Sequence, residues 1–171
     1  AMLLLATLPM VASAHALKET SARITLRDGQ VEIKLTTDIN RWQTLLQDNQ
    51  AWLLGDINQV MPTGLTPKQN KVFLNTLLKN HTSIRINKKN LVLDMVSINT
   101  LSKNHGHFAE IVLTAKHGFP TVDTVNVQFP KSLGAVHASF VKPQYKMITP
   151  GGNAEVSFAS AANIKMADHH H

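Results

Sequence analysis

The chain has 171 residues, 43% of them hydrophobic, with 17 Lys and Arg against 11 Asp and Glu and no cysteine. That length and apolar content fit a single globular domain and exclude a disordered chain. The lack of cysteine excludes a disulfide framework, a thiolate metal site and a cysteine nucleophile, so the fold must be held by its core.

The formal charge of +6 is spread along the chain, with Lys88-Lys89 the only basic doublet, and aromatic residues make up 5%. This reads as a solvated basic surface. Aromatics are too few for a base-stacking platform, so no nucleic-acid partner is expected.

The chain opens on an apolar run, Met2 to Val11. Ala12-Ser13-Ala14 and Ala14-His15-Ala16 then both follow the small-x-small rule of signal peptidase. Residues 1–16 are therefore read as a signal peptide still present in the chain, with cleavage after Ala14 or Ala16. No Lys or Arg precedes Leu3, and Ala1 before Met2 reads as a cloning remnant with the natural start upstream. Export without disulfides suits a bacterial periplasm. No later apolar run is long enough to span a bilayer, so no membrane span is expected in the mature chain.

Residues 17–159 are read as one domain. Thr20 to Leu26 and Val31 to Leu35 alternate on either side of Asp28-Gly29, a strong hairpin signal. Asp38 can cap a helix whose face carries Ile39, Trp42, Leu45 and Leu46. A less regular stretch with Trp52, Gly55, Pro62 and Gly64 follows. Thr66-Pro67 then marks a second helix start, with Val72, Phe73, Leu77 and Leu78 as its apolar stripe. The span from about 38 to 80 thus reads as a small helical insertion.

From Thr82 onward the pattern is strand. Ile84 and Ile86 alternate, and Asn87 to Asn90 can turn. Leu91 to Leu101 reads as a long strand, bent or bulged. Phe108 to Ala115, Val122 to Phe129 and Val136 to Val141 follow, and Val156 with Phe158 closes the set. Short strands between turn signals predict a mainly β fold, an Ig-like antiparallel β-sandwich with a helical insertion. Residues 160–171 read as a flexible tail. Its closing histidines are either a purification tag or a native end, and they are assigned no function.

The order of elements, the segment Ser83-Ile84-Arg85-Ile86-Asn87-Lys88-Lys89 and the late Phe129-Pro130-Lys131-Ser132-Leu133-Gly134 carry a resemblance. Over roughly residues 15 to 159 the chain resembles the extracytoplasmic domain of bacterial hydrogenase and urease accessory permease-like proteins. It lacks their membrane helices. The resemblance implies a periplasmic accessory or sensor module, linked to metal supply, and transfers no catalytic residue.

Several residues could carry chemistry. His105-Gly106-His107 would place two imidazoles on one side of an extended segment, about 6.6 Å apart along the chain, suited to Cu, Ni or Zn. Asn104 and Gly106 also allow the bland reading of a turn between strands. His15 would become the N-terminal residue after cleavage at Ala14 and could chelate copper with its α-amine. His105, His107 or His137 would complete that site. Cleavage after Ala16 removes the arrangement.

His81 and His117 read as loop residues and His137 as solvent-facing. No Gly-x-Ser-x-Gly elbow is present. Asp94, Glu110 and Asp123 are most simply surface charges. Trp42 and Trp52 flank the irregular stretch. They either line a ligand or partner surface or pack the helices onto the sheets.

The sequence therefore predicts a non-enzymatic periplasmic binding or accessory module with a protein partner in the periplasm or inner membrane, no cofactor being expected. The alternative is a histidine-based Cu, Ni or Zn binding protein, and a hydrolase ranks last.

Overall fold

The computed structural model describes residues 20–101 and 107–156. The signal segment, His15, His105, Phe158 and the tail lie outside the described residues. The chain divides after Val141 into two units, and the first holds every regular element.

In the first unit, β1 (Thr20–Arg27) and β2 (Gln30–Asp38) form the expected hairpin, with Ile24 opposite Ile33 and Leu26 opposite Val31. Gly29 takes the left-handed conformation at φ 71°, which favours glycine, whereas Asp28 does not. Asp38 caps α1 (Ile39–Leu46) by accepting from the Arg41 amide at 3.1 Å. Trp42 and Leu46 are buried on its inner face.

Asp48 caps a further short helix, α2 (Asn49–Leu53), accepting from the Gln50 amide at 2.8 Å. In the sequence this stretch looks irregular, because five residues are too few to display a helical period. Thr66 opens α3 (Pro67–His81) with a capping box: its hydroxyl accepts from the Gln69 amide at 3.2 Å, and the Gln69 side chain accepts from the Thr66 amide at 2.9 Å. The face of α3 that enters the core carries Leu74, Leu77 and Leu78. Val72, expected in that stripe, is 59% exposed. It sits about 200° around the helix from Leu74, on the solvent side.

β3 (Ser83–Ile86) turns through Asn87 and Lys88, both at positive φ, into β4 (Lys89–Asn90). Next come β5 (Leu93–Thr100), β6 (Phe108–Lys116), β7 (Val125–Gln128), a 3₁₀ turn over Lys131–Leu133 and β8 (Val136–Val141). The register shift between Leu93 and Met95 is the expected irregularity in the long strand.

The strands form two sheets, one of order β5-β6-β2-β1-β8 and one of order β4-β3-β7. Neighbours are antiparallel with one exception. β8 runs parallel to β1, from Thr20 opposite Val136 to Thr25 opposite Val141. The expectation of a wholly antiparallel fold fails at that pair, because alternation along a strand encodes its two faces and not its direction.

Along β2 and β6 the alternate residues Ile33, Leu35, Ile111 and Leu113 are fully buried, and they share one core cluster with Ile84 and Ile86 of the smaller sheet and with Trp42, Leu74 and Leu78. Over the described residues the fold is mainly β, with two sheets and three helices, consistent with a β-sandwich.

The second unit, over its described residues 142–156, has no helix or strand. A turn closes from the Gly152 amide to the Thr149 carbonyl at 2.8 Å, and the Lys146 ammonium donates to the Glu155 carbonyl. Val156 forms no strand, contrary to expectation, and its expected strand neighbour Phe158 lies outside the described residues.

Candidate functional site

The two tryptophans have opposite environments. Trp42 is 3% exposed, and its indole N–H donates to the Ser132 hydroxyl at 2.9 Å. This bond ties α1 to the 3₁₀ turn in the Phe129–Gly134 segment. It also satisfies a buried donor that would otherwise be costly. Trp42 is thus part of the core.

Beside it lies a cleft of about 680 Å³, lined in part by Thr20, Thr37, Asp38, Arg41, Asp48 and Ser132. Its polar groups are largely committed to structure. The Thr20 and Thr37 hydroxyls bond each other at 2.8 Å, Asp38 and Asp48 cap helices, and Ser132 holds Trp42.

Trp52 is 52% exposed, and Leu53 and Leu54, which follow it, are 73% and 75% exposed. The helix ends here, and Gly55 at φ 80° turns the chain away. Only Ala51 of α2 is buried. The helix is anchored through its small residue and presents its large ones to solvent.

A second cavity, of about 430 Å³, lies against α3 and the loop before it. Its lining includes Pro62, Leu65, Lys68, Val72, Phe73 and Thr76. Sequence periodicity does not reveal it, because Val72 fits the apolar stripe expected to face the core.

Of the candidate metal ligands, the structure describes His107 and His137. His15 and His105 lie outside the described residues. His107 is exposed, and its carbonyl accepts from the Ile39 amide at 2.8 Å. His137 is exposed on β8, on the opposite face from Phe140. His81 closes the last turn of α3.

His117 accepts from the Phe119 amide through Nδ1 at 3.2 Å, and its ring lies 5.9 Å from the Phe119 ring. That bond places the neutral-ring proton on Nε2, which is buried without a hydrogen-bond partner. Among the described residues, no three of His, Cys, Asp and Glu gather as a potential ligand set.

The carboxylates are also apart. Glu110 lies opposite Asn99, five residues along β5 from Asp94, or roughly 16 Å. Asp123 presents its amide to Asn87.

Asn87 is a residue that sequence reasoning took only as a turn former. Its Oδ1 accepts from the Asp123 and Thr124 amides at 2.8 and 3.2 Å, and its Nδ2 donates to the Thr121 carbonyl at 2.8 Å. It pins the loop before β7 to the β3–β4 turn. The signal was Asn at a positive-φ turn position, but its partners lie 34 to 37 residues away.

Compared with known protein families, curated proteins and solved structures, the chain matches none. No helix among the described residues is long and apolar enough to cross a membrane. Its assignment therefore rests on the surface of the helical segment.

Proposed function

We propose that this protein is an exported, periplasmic binding or accessory module of Ig-like sandwich type, which recognises a protein partner through the helices between β2 and β3. The observation that carries the reading is the run Trp52-Leu53-Leu54, three large apolar side chains in succession, each more than half exposed. Scattered exposed leucines are ordinary, but a contiguous apolar patch marks an interaction surface. Tryptophan is also the side chain most enriched at the energetic centres of interfaces. Export is supported by the apolar run Met2 to Val11 and the two small-x-small sites.

The test is affinity isolation from a periplasmic extract with the wild-type chain and with a Leu53→Glu/Leu54→Glu variant, followed by titration of the purified partner. The exposed positions tolerate the charges, so the urea midpoint of the variant should match wild type. A partner bound by wild type and lost by the variant is the expected result. Equal binding by both would overturn the reading.

A further inference from the structure

We propose that the groove beside α3 takes an acidic amphipathic segment of the protein partner, an inference that rests on the binding role proposed above. Lys68, Val72 and Thr76 follow one another at four-residue spacing, with Phe73 beside them, so the groove runs along the solvent side of α3. Pro62 and Leu65 of the preceding loop form the opposite wall. The core stripe of this helix is Leu74, Leu77 and Leu78, so the exposed Val72 has no part in holding α3 to the core. A volume of about 430 Å³ falls within the range of concave ligand sites and admits a few apolar side chains.

Charge selects the occupant. Lys68, Lys71 and Lys79 are exposed, and α3 has no acidic residue. Lys68 and Lys71 lie in the first turns, where the helix dipole already carries positive charge and would favour acids. Neither lysine has an ion-pair partner among the described residues. Lys68 lines the apolar groove and so presents an uncompensated ammonium group beside a positive helix end, while Lys71, outside the lining, adds positive charge to the same end of the helix.

A basic segment would be repelled there, and a neutral one would cover the Lys68 ammonium group without compensation. An apolar strip flanked by Glu or Asp satisfies both floor and rim, with the helix-in-groove geometry of peptide recognition. A lipid surface fits less well, since it calls for a protruding apolar edge and this site is concave.

The test uses the full chain and a fluorescein-labelled designed helix of four turns, with Leu and Phe at four-residue spacing and glutamate on its polar face. A twin peptide has lysine in place of glutamate. Anisotropy titration should show the acidic peptide binding at least about tenfold tighter than its twin, and weakening as salt rises from about 50 to about 500 mM. Amide shifts in the labelled protein should fall on residues 62–76. Val72→Glu should weaken the acidic peptide by about tenfold or more, and Lys68→Glu/Lys71→Glu should reverse the preference between the peptides. All three positions are exposed, and unchanged urea midpoints would show that the variants fold.

Equal affinity for the two peptides would overturn the proposal, as would displacement of the acidic peptide by phosphatidylglycerol vesicles. Shifts confined to Trp52–Leu54 would overturn the groove assignment and leave the broader binding role standing. If Leu53→Glu/Leu54→Glu also leaves partner capture unchanged, both fall.

Discussion

Replacing each tryptophan in turn by alanine should separate a core residue from a surface one. Trp42 is 3% exposed, so truncation opens a cavity of nearly a whole indole, which for large aromatics costs about 3–5 kcal/mol. It also strands the buried Ser132 hydroxyl, which adds about 1 kcal/mol. Trp52 keeps roughly half of the ~200 Å² that an aromatic side chain can bury, which at ~25 cal/mol/Å² caps its contribution near ~2.5 kcal/mol.

Residual burial in the denatured chain and the better helix propensity of alanine lower that loss to about 1 kcal/mol. For a chain of this size the difference of about 3–5 kcal/mol corresponds to about 6–20 °C in melting temperature. Urea unfolding followed by fluorescence suits the pair, because each variant retains the other tryptophan as reporter. Trp42→Phe with Ser132→Ala, in a double-mutant cycle, should isolate a coupling of about 0.5–1.5 kcal/mol. Equal destabilisation by the two alanine variants, or a greater loss at Trp52, would refute the assignment of Trp42 to the core.

Other consequences can be checked alongside. Asn87→Ala removes three hydrogen bonds and places a Cβ-branchless but non-glycine residue at φ 48°, so it should cost about 2–3 kcal/mol in chemical denaturation. Lys88→Gly relieves a left-handed lysine at φ 68° and should raise stability by up to about 1 kcal/mol, read as a higher urea midpoint. On expression in a bacterial host, mass spectrometry of the periplasmic protein should find His15 or Leu17 as the first residue. An intact residue 1 would contradict export by signal cleavage.

The elements most legible in the sequence were those with local chemistry. Asp28-Gly29 between alternating runs marked the first hairpin, and Asp38 and Thr66-Pro67 marked the starts of α1 and α3. What escaped depended on distant partners. The parallel seating of β8 on β1 joins residues 116 apart, Thr20 with Val136. Nothing in the alternation of Val136 to Val141 indicates that direction. Val72 fits an apolar period on α3, yet which side of a helix enters the core is decided by what it packs against.

The same limit governs the candidate site. Trp42 sits on an apolar helical face in the sequence and Trp52 in a less regular stretch, but only tertiary packing shows that the first indole is bonded to Ser132 and the second is half in solvent. His105-Gly106-His107 was a local pattern of the legible kind. Of its two histidines, His105 lies outside the described residues, and His107 belongs to no group of three potential ligands among them.

The most direct test of the binding surface is site-specific photo-crosslinking in the periplasm, with a benzophenone side chain in place of Leu53 and, as a control, in place of Arg23 on the outer face of β1. A discrete crosslinked partner from position 53, competed away by the unlabelled wild-type chain, and none from position 23, is the expected result. No adduct from position 53, or the same adducts from both positions, would contradict it.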